Sequence, residues 1–393
     1  MEKKKKRSNI LGFITIANGS IDMWFCILVI ILLGIGLVMM FSASYASAMD
    51  KFGKPLYYFK RQAGFAAAGL AAMFLMSKIH YKTLRRFSKI ALFVSIVLLI
   101  VVLFYYVKIP EKEEFKRWMK IPGTSITFQP SEIAKLGLIW FLAWSLEYKQ
   151  YQIRQKDWRL LIVYCALIAF MSGLVYMENH LSGAILIFAI GITMTYMGGF
   201  KKRWYIIGAV IIAAVAVIAV VEREHLPDRI EARINGWLDP DYDPINARWQ
   251  INQSLRAIGS GGLFGTGLGQ SKQKHLYLPE PQNDFIFAIV CEELGFIGAM
   301  VIMLLFVALV WRGFVIALNS DNKFAGLMVA GIMFQIGFQT ALNICVVTGV
   351  MPNTGISLPF FSYGGTSLLM ILAEMGMVLS VSRSSKINKN NLL

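Results

Sequence analysis

The chain has 393 residues, with 39 Lys and Arg against 23 Asp and Glu, for a formal net charge of +16. Hydrophobic residues make up 56% of it and charged residues only 16%, against roughly 25% charged in soluble domains. That balance excludes a soluble globular enzyme, a disordered chain and a fibrous protein. The basic residues sit between long apolar runs, which argues against a nucleic-acid partner and leaves a polytopic membrane protein.

The chain opens on a basic tail, residues 1–21. The first apolar run, Met23 to Met40, is too long for a cleaved signal core and reads as a retained span. A spanning helix needs about 20 mostly apolar residues. Ten stretches qualify: 23–45, 61–77, 90–107, 132–148, 160–177, 183–199, 204–221, 284–311, 324–348 and 363–382. They are too uniformly apolar for barrel strands. The predicted fold is therefore an all-α integral membrane protein of ten transmembrane helices. Residues 22–382 form the membrane domain, and residues 383–393 a second tail. Placing both termini in the cytoplasm puts 22 basic and three acidic residues inside, against 16 and 13 outside. Lys and Arg concentrate in short cytoplasmic loops in this way. Both tails are therefore expected on the cytoplasmic side of the membrane.

The longest loop, 222–283, then lies outside, between the seventh and eighth spans. Long loops without a fold of their own usually carry function, so chemistry is expected on the outer face. Within this loop, Pro227 to Gly236 reads as a short amphipathic helix. Asp239, Asp241 and Asp243 form a turn-rich acidic piece without the full calcium-loop pattern. Residues 259–269 hold six glycines. No Gly-Lys-Ser/Thr follows, so this run is no P-loop. It is either a hinge or re-entrant turn, or an anion cradle of backbone N–H groups backed by Lys272 and Lys274.

Ionisable groups near apolar spans are costly and therefore informative. Ser131 is placed to cap a helix starting at Glu132. Glu132 and Lys135, three apart, share a helical face, as a mutually neutralising pair or as the lining of an outward cavity. His180 stands at a turn between spans. Glu292, Glu293 and Glu374 fall inside spans and are expected to face the bundle with polar partners. Asp284 stands where the eighth span begins, either as a helix cap or as a partly desolvated base.

Several of these stretches resemble one family. Phe128 to Lys135 is similar to its Q-P-S-E-x-x-K segment, with Arg117-Trp118 upstream as an R-W pair. Trp249 to Gly269 fits its Gln-Ser-Leu and Gly-rich stretch. Leu278 to Gly295 fits L-P-E-x-x-x-D-F-I-F-A followed by E-E-L-G, and Thr348 to Ser367 fits T-G-x-x-P-x-T-G-x-x-L-P-F-x-S-Y-G-G-x-S. The family is SEDS, the shape, elongation, division and sporulation proteins of the FtsW, RodA and SpoVE type. The match begins at Phe41 to Ser44 and runs to the tenth span. Two places depart from it. Asn179-His180-Leu181-Ser182-Gly183 stands where the family often has P-D-x-G-T, and Glu113 to Lys116 precede Arg117 in place of small residues.

The resemblance implies a peptidoglycan glycosyltransferase that polymerises lipid II, a disaccharide-pentapeptide on undecaprenyl pyrophosphate. It also implies a class B penicillin-binding protein as partner, among other division or elongation proteins. Asp284 corresponds to the family's essential acid and is the candidate base. Glu132, Lys135, Arg248, Lys272, Lys274 and His180 are candidate substrate-binding residues, with a divalent cation such as magnesium or manganese as a candidate cofactor. A lipid II flippase and a non-catalytic scaffold are the competing readings.

Overall fold

A computed structural model describes residues 15–17, 19–107, 116–124, 126–155, 158–222, 228–239 and 248–385. Its elements in order are α1 (Met23–Phe52), α2 (Tyr57–Lys78), α3 (Tyr81–Phe104), β1 (Met119–Lys120), β2 (Thr127–Phe128), α4 (Pro130–Tyr148), α5 (Gln150–Arg154), α6 (Trp158–Met177), α7 (Leu181–Gly198), α8 (Lys202–Val221), α9 (Asp228–Leu238), α10 (Trp249–Gly261), α11 (Ile286–Leu318), α12 (Lys323–Val347) and α13 (Gly365–Ser384). Helices of 18 residues or more stand at all ten stretches expected from the apolar runs. Seven of these, α1, α3, α6, α7, α11, α12 and α13, are long and apolar enough to cross a membrane. The two strands form a small antiparallel hairpin, Met119 opposite Phe128.

Local chemistry sets the helix ends. Asp22 caps α1 by accepting from the Phe25 N–H, and Asn322 caps α12 by accepting from Phe324 and Ala325. Such caps satisfy N–H groups that a helix start otherwise leaves unpaired. α13 packs along α2, α3 along α4, and α11 along α12. The buried core is built from Phe25, Leu32, Met73, Leu142, Phe324 and Phe361, among others.

One end of the bundle is stitched by ion pairs and hydrogen bonds. Arg312 holds Asp22 at 2.7 Å, Arg85 holds Glu147 at 2.8 Å, and Arg383 donates to the Gly19 carbonyl at 2.6 Å. The start of α1 and the end of α13 therefore meet there.

Two parts of the 222–283 loop differ from expectation. The amphipathic helix is present as α9, although Pro227 lies outside the described residues, as do Asp241 and Asp243. A further helix, α10, was not foreseen. Its apolar positions Ile251 and Ala257 are buried, but glycines at its end masked the period.

The glycine run is a re-entrant turn packed on α11. At Gly295 (φ 69°, ψ −172°) α11 breaks its helical path. Thr266 and Gly267 donate to the Glu292 and Glu293 carbonyls at 2.9 and 3.1 Å, while Phe296 and Ile297 donate back to Gly262 and Leu263 at 2.9 and 3.1 Å. Gly265 and Gly295 meet backbone to backbone, and a Cβ on either would overlap the other strand of this exchange. Only glycine fits, by space and by positive φ. The anion-cradle reading fails here because chain carbonyls already take these N–H groups. Just past the run, backbone N–H groups instead cradle an internal carboxylate: Lys272 N and Gln273 N donate to Glu292 at 2.8 and 3.4 Å.

Candidate active site

Opposite the stitched end lies a cavity of about 1490 Å³. The same ends of successive helices meet in it: the C-terminal ends of α1, α6 and α12, and the N-terminal ends of α2, α4, α7 and α13.

α4 supplies the first charged pair. Its opening Pro130 suits the first helical position. Ser131 does not cap the helix as expected; Gln129 stands at the cap without a side-chain bond. Glu132 and Lys135 form an ion pair at 2.9 Å. Ser367 of α13 donates to Glu132 at 3.2 Å, and Lys135 donates to Gln339 of α12 at 3.4 Å. Gln339 in turn holds the Ser357 carbonyl at 2.9 Å. The two charges therefore neutralise each other while lining the cavity.

Asp284 also lines the cavity. It is not the cap of α11; Phe285 holds that place, without a side-chain bond. Asp284 is fixed by its backbone instead. Asn343 of α12 donates both to the Asp284 carbonyl and to the Ile356 carbonyl, each at 2.7 Å. Ser362 grips the Asn283 carbonyl at 2.7 Å, and Tyr363 N bonds the Gln282 carbonyl at 2.8 Å. The loop between α12 and α13 thus buttresses the segment that carries the aspartate. Ser182 of α7 joins the same loop by donating to Gly355 O at 3.2 Å.

His180 lines the cavity beside Asn179, whose carbonyl accepts from Arg117. Next to them Glu178 is fully buried, and neither of its carboxylate oxygens has a hydrogen-bond partner. Burial pushes its carboxyl up to about 9, against the pull of the Arg117 guanidinium.

Three of the expected site residues lie outside the cavity lining. Arg248 is used structurally, donating to the Gly236 and Trp237 carbonyls at 2.9 and 3.0 Å. Lys274 is buried, with its ammonium 2.8 Å from Glu293 and 3.1 Å from Ser42. Lys272 is exposed, and only its backbone N–H takes part, in the Glu292 cradle. Basic residues near a glycine run gave no information on which way the folded loop turns.

Sequence reasoning missed Arg61, which faces the cavity from α2 and lies 5.3 Å from the Tyr57 ring. It also passed over Gln339 and Asn343. The signal was present: Gln335, Gln339 and Asn343 recur every fourth residue, so they form one polar stripe on an otherwise apolar helix. Gln335 takes the buried Glu374 at 3.0 Å.

For a divalent cation the residues do not form a cage. Among the described residues no three His, Cys, Asp or Glu side chains gather in ligating positions. The oxygens of Glu132 are engaged by Lys135 and Ser367.

An α-helical, multi-pass membrane protein with a large cavity bearing charged side chains at a bundle end is the class these features define. The comparisons narrow it. Residues 23–387 match the family model described as cell cycle protein, covering FtsW, RodA and SpoVE, and the chain belongs to that family. It is 41% identical over 373 residues to stage V sporulation protein E of Bacillus subtilis, covering 95% of this chain and 100% of the relative. It is 37% identical to a probable peptidoglycan glycosyltransferase FtsW of Trichlorobacter lovleyi, covering 93% and 94% of the two chains. The fold is similar to a solved chain described under "Structural coordination of polymerization and crosslinking by a peptidoglycan synthase complex", with TM-score 0.75, 27% identity, and 92% and 98% of the two chains covered. It is also similar to the rod shape determining protein RodA of Thermus thermophilus, with TM-score 0.68, 26% identity, and 93% and 98% covered.

Proposed function

We propose that this chain is a peptidoglycan glycosyltransferase that polymerises lipid II at the outer face of the cytoplasmic membrane, with Asp284 as general base. In this reading all ten long helices cross the membrane, both tails (1–21 and 383–393) are cytoplasmic, and the cavity opens outward with the 222–283 loop. The distribution of Lys and Arg supports that orientation. The observation that carries the proposal is Asp284, held by its backbone at the wall of a cavity large enough for a glycan.

The reaction joins the 4-hydroxyl of one lipid II to the anomeric carbon of another. The hydroxyl proton passes to the Asp284 carboxylate. The new C–O bond forms as the bond to pyrophosphate breaks, its electron pair leaving on phosphate and the α linkage inverting to β. A base on the attacking hydroxyl and cations on the leaving group are what such a step requires. Among the described residues, Arg61, Arg117 and Lys135 are the cations at the cavity wall, Lys135 in its pair with Glu132. A class B penicillin-binding protein is the proposed partner, supported by similarity to a chain from a peptidoglycan synthase complex.

Incubating purified protein with labelled lipid II tests this reading. Asp284→Asn is expected to fold and insert normally and to lose roughly 10²–10⁴-fold in rate, the usual worth of a general base. Transbilayer movement of lipid II without polymer would favour a flippase. Growth supported by the Asp284→Asn protein would favour a scaffold.

A further inference from the structure

Beside the Asp284 carboxylate the cavity wall is a glycine. A Cβ placed on Gly355 would stand 3.4 Å from Asp284 Oδ2, and among the described residues no other atom outside the adjoining chain comes within 4 Å of that point. Gly355 takes φ 70°, in the left-handed region, where a residue without a side chain has little conformational preference of its own. Its place is therefore set by what it bonds. Its N–H donates to Asn353 Oδ1 at 3.1 Å, the bond of an Asx turn. Its carbonyl accepts from Ser182 at 3.2 Å. The next carbonyl, that of Ile356, shares the Asn343 amide with the Asp284 carbonyl. One side chain thus keeps this turn and the aspartate backbone together.

Asn353 extends the arrangement outward. Its Nδ2 donates to Gln250 Oε1 at 2.7 Å. Both ends of the amide are engaged, the oxygen by Gly355 and the nitrogen by Gln250, and turning it over would set donor against donor at Gly355. Gln250 is the second residue of α10, and α10 is itself anchored. Ile251 and Ala257 are buried, and Ser254 donates to the Val347 carbonyl at 2.7 Å. The line Gln250–Asn353–Gly355 therefore runs from a fixed helix of the 222–283 loop to the wall on which the carboxylate borders.

We infer that Asn353 is a positioning residue for the transfer: hung from Gln250, it holds the Gly355 turn beside Asp284 and so sets where the carboxylate stands when the sugar hydroxyl arrives. The inference rests on Asp284 as general base, the reading given above. Gln250 and Asn353 also line the cavity, so the competing role is direct contact with substrate.

The test uses Asn353→Ala, Gln250→Met, Gln250→Glu and the double variant Asn353→Ala/Gln250→Met in the full-length protein in detergent. kcat and KM for polymerisation of labelled lipid II are measured beside the thermal midpoint. A reacting group displaced by about 1 Å can lose about 10²-fold in rate, so Asn353→Ala is expected to lower kcat by about 10–10²-fold with KM and midpoint near wild type. Gln250→Met has the same reach but no acceptor, and should lower kcat too. Gln250→Glu still accepts from Asn353 and should keep kcat, its added charge showing in KM. The double variant should fall no further than Asn353→Ala, because Gln250 acts only through Asn353. A raised KM with unchanged kcat in Asn353→Ala marks substrate contact and overturns the inference. So does a kcat that falls only in step with the midpoint, or a double variant in which the two single losses add. Should Asn353→Ala fail to fold, the two Gln250 variants decide, and equal kcat in both overturns it. Wild-type protein that makes no polymer removes the underlying reading, whereas an active wild type with an indifferent Asn353 removes this inference alone.

Discussion

Replacing Lys274 with methionine separates a structural lysine from a substrate-binding one. The ammonium lies 2.8 Å from Glu293 Oε1 and 3.1 Å from Ser42 Oγ. Lys274 is 4% and Glu293 0% exposed at the side chain. Ser42 donates to both Glu293 oxygens, at 2.7 and 2.8 Å, and Ser271 N adds a bond at 3.3 Å. The adjacent Glu292 has its own donors in Ser271 Oγ and the Lys272 N–H. Methionine would leave two neighbouring buried carboxylates with no cation between them. Removing one partner of a buried ion pair costs about 3–5 kcal/mol. We expect Lys274→Met to lower the thermal midpoint in detergent by several degrees while the polymerisation rate per folded molecule stays at wild type. Adding Glu293→Gln should restore most of the stability, since the carboxylate left unpaired is then gone. An unchanged midpoint with a collapsed rate would refute this reasoning and return Lys274 to the substrate.

Three other outcomes follow from the geometry. Gly295→Ala forces a side chain into the Gly265 backbone at positive φ, and should cost at least about 1–3 kcal/mol, seen as a lower melting temperature. Glu178 keeps its proton in the folded state up to about pH 9 but titrates near 4.5 when unfolded. Stability should therefore fall as pH rises through that window, and Glu178→Gln should melt higher than wild type near pH 9 and alike near 4.5. Arg61→Ala should weaken undecaprenyl pyrophosphate binding in equilibrium titrations without altering the melting temperature, because its side chain meets the cavity rather than the core.

Much of the fold was legible because an apolar run long enough to span lipid has few alternatives to a helix. The helix positions follow from that. α10 was hidden because its last residues, Gly259 and Gly261, belong equally to the turn that follows. At the site, Asp284, Glu132 and Lys135 stood out as charges where apolar sequence begins, and the cavity contains all three. Arg248 and Lys274 were as conspicuous, yet they turn inward to carbonyls and to Glu293. Charge marks a residue as consequential without indicating its direction. The caps predicted at Ser131 and Asp284 failed on register: Gln129 and Phe285 hold the cap positions, so Ser131 falls inside its helix and Asp284 just ahead of its own.

The break of α11 at Gly295 has a mechanical corollary. The turns from Ile286 to the break are latched to the glycine run on one side. Asp284, just ahead of them, is latched to the α12–α13 loop on the other. Past the break the helix is tied as well: Phe296 and Ile297 bond back to the same run, and Arg312 holds Asp22. The segment bearing Asp284 is thereby guyed from two sides, so slack in either tether would reach it.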